Sequence, residues 1–284
     1  MLRKAIALAA VLGLAGGLLG AVGSAVAATT EKEPKEVSWP SDGPFGKFDQ
    51  VQLQRGYKVY HDVCSSCHSM QQLHYFDLAR PYAPFFNETY KNPNENAYVK
   101  AIAAEFQVPD IDPDTGDIVQ RPATPADRFK APFPNEAAAR ASNGGAYPPD
   151  LSVITKAREG GPRYIYSLLT GYVTPPPGLA VPAGKYYNPY MPGDVTSYWT
   201  GKGPAPEGGF LSMPFQLTPE RVTYDDGTKA TTDQMAKDVT AFLIWASDVH
   251  QIERKKMGLT AMIYLLLLAG VVYASYRQIW RKLH

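Results

Sequence analysis

Apolar positions recur at steps of three and four between Phe48 and Cys64. Leu53, Gly56, Tyr57, Tyr60 and Cys64 share one face, which predicts a helix running into that cysteine. The same spacing in Met235, Val239, Phe242, Leu243 and Ala246 predicts a second helix. Its start is marked by Thr231-Thr232-Asp233-Gln234, which has the form of a capping box, and its stripe reads as core packing. Arg163 to Tyr172 predicts a third helix, stopped by Gly171 and the prolines at 175 to 177. Shorter helical pieces are expected around Tyr98 to Phe106 and Asn135 to Ala141. Pro, Asn, Asp and Gly dominate much of the rest, Thr29 to Gly46 reads as an extended arm, and neither strand alternation nor an internal repeat stands out. The expected fold class is mainly α with long loop insertions.

Two uncharged stretches fall outside that pattern. Met1 to Ala28 carries Arg3 and Lys4, then an Ala/Leu/Gly/Val run, then the small residues Ala25 to Ala28, and is expected to be a cleaved signal peptide. Met257 to Tyr276 is 20 residues without a charge. At about 1.5 Å per residue it spans a hydrocarbon core of about 30 Å, so a transmembrane helix is expected. Basic residues flank it on both sides, and its direction therefore follows from the exported N-terminus. The expected organisation is a signal at 1–28, a periplasmic head at 29–250 and an anchor with a short cytoplasmic tail at 251–284.

Separating the head changes the charge picture. The whole chain has net charge +1, but the head holds 20 of the 28 Lys+Arg against 26 of the 27 Asp+Glu and is six charges negative. That argues against nucleic acid as a partner and for a cationic one. The acids of "VPDIDPDTGDIV" (Asp110, Asp112, Asp114, Asp117) and of "YDDGT" (Asp225, Asp226) are expected to steer it.

The chain has two cysteines, Cys64 and Cys67, followed directly by His68 in "DVCSSCHSM". A dithiol redox motif normally sits in a βαβ unit, which the surroundings do not suggest. A structural zinc site needs a fourth ligand, from His61 or His74, and would have to bend adjacent Cys67 and His68 onto one ion. Covalent attachment of haem c accounts for all three residues: two thiols bond the two vinyl groups along one porphyrin edge, and the next residue offers its imidazole to the iron. An electron-carrying haem of this kind takes a second axial ligand. His61 and His74 lie too close to the motif, and position leaves Met191, in "NPYMPG", and Met213, in "GFLSMPFQL", as the candidates. Both precede proline, and spacing does not choose between them.

Taken in order, "QLQRGYKVYHDVCSSCHSM", "AAARASNGGAYPPDLSVITKAR", "YIYSLLTGY", "KYYNPYMPG", "YDDGTKATTDQMAKDVTAFLIWAS" and "ERKKMGLTAM" resemble the cytochrome c1 family, from Phe45 to about residue 276. The resemblance implies a c-type cytochrome domain, with Met213 as sixth ligand beside His68. It implies that Arg140 pairs with a haem propionate, against the alternative of an exposed charge at a helix end. It further implies that Pro148-Pro149 lies against the proximal side, where a backbone carbonyl orients His68, and that Gly56 and Tyr60 form a close crossing with Phe242 to Trp245. The implied function is the one-electron carrier of a quinol–cytochrome c oxidoreductase, without substrate chemistry of its own. The implied partners are cytochrome b, a Rieske iron–sulfur protein, a soluble c-type cytochrome and membrane lipid, in a dimeric complex. A tethered cytochrome serving a terminal oxidase, or a thiol oxidoreductase, are the alternatives.

Overall fold

A computed structural model describes residues 31–281; the expected signal peptide lies outside them. The described chain is helix-rich with two small antiparallel sheets. In chain order the helices are α1 (Gln50–Val59), α2 (Ala97–Ala104), α3 (Glu136–Ser142), α4 (Gly161–Leu169), α5 (Thr232–Ser247) and α6 (Gln251–Trp280). The strands are β1 (Gln107–Ile111) with β2 (Ile118–Pro122), and β3 (Tyr186–Asn188) with β4 (Gly209–Leu211).

The core is the crossing of α1 on α5. Asp49 caps α1 by accepting from the amides of Val51 and Gln52, and the helix then buries Leu53, Gly56, Tyr57 and Val59. Gly56 sets how closely the helices approach: a Cβ there would lie 2.1 Å from the Asp238 carbonyl oxygen and 2.7 Å from the Phe242 Cβ. Tyr57 and Tyr60 each bring a ring to 5.7 Å from that of Phe242, and Phe242 stacks on the fully buried Trp245. A charged group is buried in this apolar crossing. The Asp238 carboxylate, wholly buried, accepts from Arg55 Nε at 2.9 Å, Gln234 Nε2 at 2.9 Å and Gln52 Nε2 at 3.2 Å. Three donors offset the desolvation that would make a lone buried carboxylate unfavourable.

The apolar stripe expected on α5 is buried throughout, including Met235, but only half of the expected capping box forms. Thr231 Oγ1 accepts from the Gln234 amide at 3.1 Å, whereas the Gln234 side chain turns away to Asp238. The expectation of a head without strands is corrected by β1–β2 and β3–β4. The reason is burial: nearly every residue of β1 and β2 is exposed on both faces, so there is no alternation to read. Their hairpin is closed instead by Asp112, which exchanges backbone contacts with Gly116 and Asp117 and accepts at its side chain from the amides of Asp114 and Thr115. Gly116, at φ +76°, takes the left-handed position of the turn.

Ahead of α1, residues 31–39 carry no helix or strand, residues 40–45 turn, and the segment is strapped to the head. Lys35 donates its amide to Ser167 Oγ and its ammonium to Thr170 Oγ1, and the Trp39 indole donates to the Lys237 carbonyl. The 30-residue α6 is long and apolar enough to cross a membrane, with a mean hydropathy of 2.1 over its apolar window. It is joined firmly to the head. Ile252 is buried, Lys255 Nζ donates to the Ser41 carbonyl at 2.6 Å, Lys256 meets the Tyr82 hydroxyl, and Arg254 pairs with Asp248.

Candidate functional site

α1 does not end in a simple cap. It passes into one π turn over Tyr60–Cys64, closed by Ser65 N–H donating to the Tyr60 carbonyl at 2.8 Å. Such widened turns are frequent at functional sites because they shift which side chains face a neighbour. The turn is held from inside by Tyr60 and Val63 and from the next residues by Cys67 and His68, whose amides donate to the Cys64 carbonyl at 3.1 and 2.9 Å. Cys64, Cys67 and His68 are thereby wound onto a single turn, with both cysteines free.

The imidazole is oriented. His68 Nδ1 lies 2.8 Å from the Pro149 carbonyl oxygen, which can only accept, so Nδ1 carries the proton and the Nε2 lone pair remains for a metal. Burial, as the largest influence, lowers the pKa of His68 below its ordinary value, against the opposing pull of Pro149 and Asp150. Burial thus favours the neutral ring, the form that ligates a metal. Both Cys64 and His68 nevertheless keep solvent-reachable surface, which puts them in a crowded notch rather than in the sealed core.

The segment bearing Pro149 is zipped to the residues just after His68. The Asp150 carboxylate accepts from Ser69 Oγ, the Gln71 amide and the Ser152 amide, each at 2.8 Å. Leu151 N–H donates to the Ser69 carbonyl at 2.8 Å, and Gln72 N–H to Ser152 Oγ at 3.1 Å. Burial works against ionisation of Asp150, but hydrogen bonds from Ser152, Gln71 and Ser69 outweigh it and hold the carboxyl below its usual range. Asp150 is not marked by sequence pattern: a short acceptor side chain signals only the local bond to the Ser152 amide, while Ser69 and Gln71 lie about 80 residues away.

Arg140 lies upstream on the same segment, in the last turn of α3. Its side chain is half-exposed, pairs with Glu136 at 2.7 Å and donates to the Gly145 carbonyl at 3.0 Å. The guanidinium also sits 5.6 Å from the Tyr147 ring centre. It therefore braces the loop that leads into Pro148-Pro149.

The two methionines left open by spacing are separated by the small sheet. β3 and β4 pair antiparallel, Tyr186 opposite Leu211 and Asn188 opposite Gly209, so Met191 leaves from one end and Met213 from the other. The Met191 sulfur receives the Tyr164 hydroxyl at 3.7 Å. Met213 is held by its backbone instead, its carbonyl accepting from the Tyr172 hydroxyl at 2.9 Å, and Tyr172 packs on Phe215. Tyr172 is a second residue that the sequence reading passed over; it follows Gly171 in "LLTGY", where a Cβ would lie 2.5 Å from Tyr190 Cδ2 and from the Ser167 carbonyl oxygen.

This donor set fits haem better than its competitors. Redox dithiols depend on a lowered thiol pKa. Cys64 is instead pushed up to about 12, first by burial and then by Cys67. Among the described residues no three of His, Cys, Asp and Glu converge as a metal-holding group. The two histidines that zinc would recruit are engaged, His61 between Asp62 and Glu105 and His74 stacked on Phe76. A cavity of about 640 Å³ opens beside His61, Arg55 and Asp226 but does not reach Cys64, Cys67 or His68.

Pairing changes the acidic loops that sequence read as a steering surface. Asp110 is paired with Arg121 at 2.6 Å and Asp226 with Arg55 at 2.7 Å. Asp112 is occupied within its turn, and Asp114 and Asp117 stand exposed beside it.

Comparison with known proteins agrees with this chemistry. The model of the "Cytochrome C1 family" matches residues 39–283. "Cytochrome c1" of Rhodospirillum rubrum is 40% identical over 94% of this chain and 95% of the relative. "Cytochrome c1 1, heme protein, mitochondrial" of Arabidopsis thaliana is 44% identical over 91% of this chain and 75% of the relative. "Cytochrome b/c1" of Bradyrhizobium diazoefficiens is 38% identical over 99% of this chain, which spans only 41% of that relative's length.

Proposed function

Because this chain belongs to the cytochrome c1 family, we propose that it is the haem-bearing electron-transfer subunit of a cytochrome bc1 complex, a quinol–cytochrome c oxidoreductase. The observation that carries the reading is the His68 imidazole with its Nδ1 on the Pro149 carbonyl, which leaves Nε2 for a metal, directly after a cysteine pair. A single haem c bound here would supply a one-electron couple. Cys64 and Cys67 would hold one edge of it through thioether bonds, and His68 would offer Nε2 to the iron. Met213 is our sixth ligand: its thioether accepts no hydrogen bond among the described contacts, whereas that of Met191 is taken by Tyr164. Arg140 would turn from Glu136 toward a propionate. No residue of the head acts as general acid or base in this role.

The electron would come from a Rieske iron–sulfur protein and leave to a soluble c-type cytochrome. Cytochrome b is the expected neighbour in the membrane, in keeping with the name "Cytochrome b/c1" of one relative. The head, 29–250, would stand on the periplasmic side, with α6 crossing the inner membrane once and the C-terminus in the cytoplasm, in a dimeric complex in contact with lipid. The test is an alkaline pyridine haemochrome spectrum of the purified full-length chain after acid–acetone extraction. The α band of haem with both vinyl groups saturated is expected to stay with the protein; haem that extracts, or a chain without haem, would overturn the reading.

A further inference from the structure

Asp150 stands where the proximal imidazole is held, and the covalent structure of its segment explains why a side chain is needed there. Pro148 and Pro149 have no backbone N–H. The two residues carrying the acceptor for His68 therefore cannot anchor themselves to the rest of the fold by donating. The position of the Pro149 carbonyl is set from the residues after it: the Asp150 carboxylate, with its 2.8 Å contacts to Ser69 Oγ, Gln71 N and Ser152 N, and the Leu151 amide on Ser69. Two of the three donors belong to the stretch directly following His68, so the clamp ties the imidazole's acceptor to the imidazole's own segment.

We propose that Asp150 is a positioning residue that keeps the Pro149 carbonyl on His68 Nδ1 and thereby sets the electron richness of the proximal ligand. The inference rests on the haem reading above. A hydrogen bond from the outer ring nitrogen raises ligand basicity, which favours the more highly charged ferric state and holds the reduction potential down. Letting the carbonyl drift weakens that bond, and the potential rises.

The test uses the full-length, haem-loaded chain with Asp150→Asn, Asp150→Glu and Ser69→Ala, and reads midpoint potential, ferric electron paramagnetic resonance and melting temperature. Asp150→Asn removes the charge and, with its amide oxygen toward Ser69 and Gln71, turns a donor NH2 onto the Ser152 amide that the carboxylate accepts from. Asp150→Glu keeps the charge but lengthens the arm by a methylene. Both are expected to shift the ferric-to-ferrous balance toward ferrous by about tenfold, about 59 mV for one electron, and to alter the ferric g values. Ser69→Ala, which keeps charge and backbone, is expected to shift in the same direction by less, and decides the matter if the Asp150 variants do not fold. A wild-type potential in Asp150→Glu beside a raised one in Asp150→Asn would leave only a charge effect and overturn the positioning role. Wild-type potentials in all folded variants, with lowered melting temperature alone, would overturn it as well. Wild-type chain without covalent haem would overturn the haem reading itself, in a separate assay and before any variant is compared.

Discussion

Gly56→Ala tests the packing that carries the site, because helix propensity and packing predict opposite signs for it. In an exposed helix interior the change is stabilising by about 1 kcal/mol. Here the new methyl would lie 2.1 Å from a backbone carbonyl oxygen of α5 and 2.7 Å from the Phe242 Cβ. Carbon atoms in good contact sit about 3.5–4.0 Å apart, so relief requires the helices to part by about 1 Å. The obstruction is main chain, which no rotamer change can move. Parting would also lengthen the Arg55 and Gln52 contacts to the wholly buried Asp238 and loosen Tyr57 and Tyr60 on Phe242. Overpacking typically destabilises by about 1–3 kcal/mol, and we place this site at the upper end. At about 2–4 °C per kcal/mol for a chain of this size, the melting temperature should fall by about 6–12 °C. The assay is thermal unfolding of the full chain in one detergent, followed at 222 nm and at the haem band. An unchanged or raised melting temperature would show that α1 and α5 separate easily and that the crossing does not fix the cysteine turn.

Met213→Leu should leave haem attached, since Cys64, Cys67 and His68 are untouched, yet lower the potential, while Met191→Leu should leave the potential alone; the reverse result in redox titration would exchange their roles. Hydrogen bonds from Arg121 are the chief influence holding the Asp127 carboxyl well below its ordinary value, near 3.9 when unfolded. Its contribution is therefore complete above that value and lost as pH falls through the lower, folded one, so amide exchange in β1–β2, corrected for intrinsic rate, should accelerate on going from pH 6 to pH 3. Equal protection at both ends would refute this. Because Asp110 and Asp226 are paired with arginines, Asp114→Asn with Asp117→Asn should reduce the salt dependence of electron transfer to a cationic cytochrome more than Asp110→Asn with Asp226→Asn. Stopped-flow rates across a salt series decide that comparison.

The helices of the head were legible because each combines a local stop or start with buried residues, and α6 because of its long uncharged run. Asp49 and Asn135 cap their helices, and the stripe from Met235 to Ala246 is buried. The close crossing at Gly56 was legible only through family resemblance, since a glycine within a helical pattern does not say what approaches it. Three features escaped for physical reasons. The β1–β2 hairpin has no buried face, so periodicity has nothing to report. Asp238 is a carboxylate on the wrong side of an amphipathic helix, and its donors Gln52 and Arg55 lie more than 180 residues away in the chain. The π turn at Tyr60–Cys64 depends on which hydrogen-bond register the end of α1 adopts, a choice made by tertiary packing.

The site itself shows why motif and loop differ so much in legibility. The cysteine pair and His68 lie within five consecutive residues, so covalent proximity alone brings the chemistry together. Apart from Arg140 on α3, the groups proposed to act around them come from loops that carry proline: Pro148-Pro149 ahead of Asp150, Pro192 after Met191, Pro214 after Met213. Each proline removes a backbone donor and holds its predecessor extended, so these segments cannot build ladders of their own. They are held by contacts to distant segments: the Tyr172 hydroxyl on the Met213 carbonyl, the Tyr164 hydroxyl on the Met191 sulfur, and Ser69 and Gln71, just after His68, on the Asp150 carboxylate. These contacts span about 30 to 80 residues. No short window of sequence contains both partners of any of these contacts, so periodicity cannot report them. The same feature that hides these positions from periodicity makes single substitutions at Tyr172 and Asp150 informative about the ligand each supports.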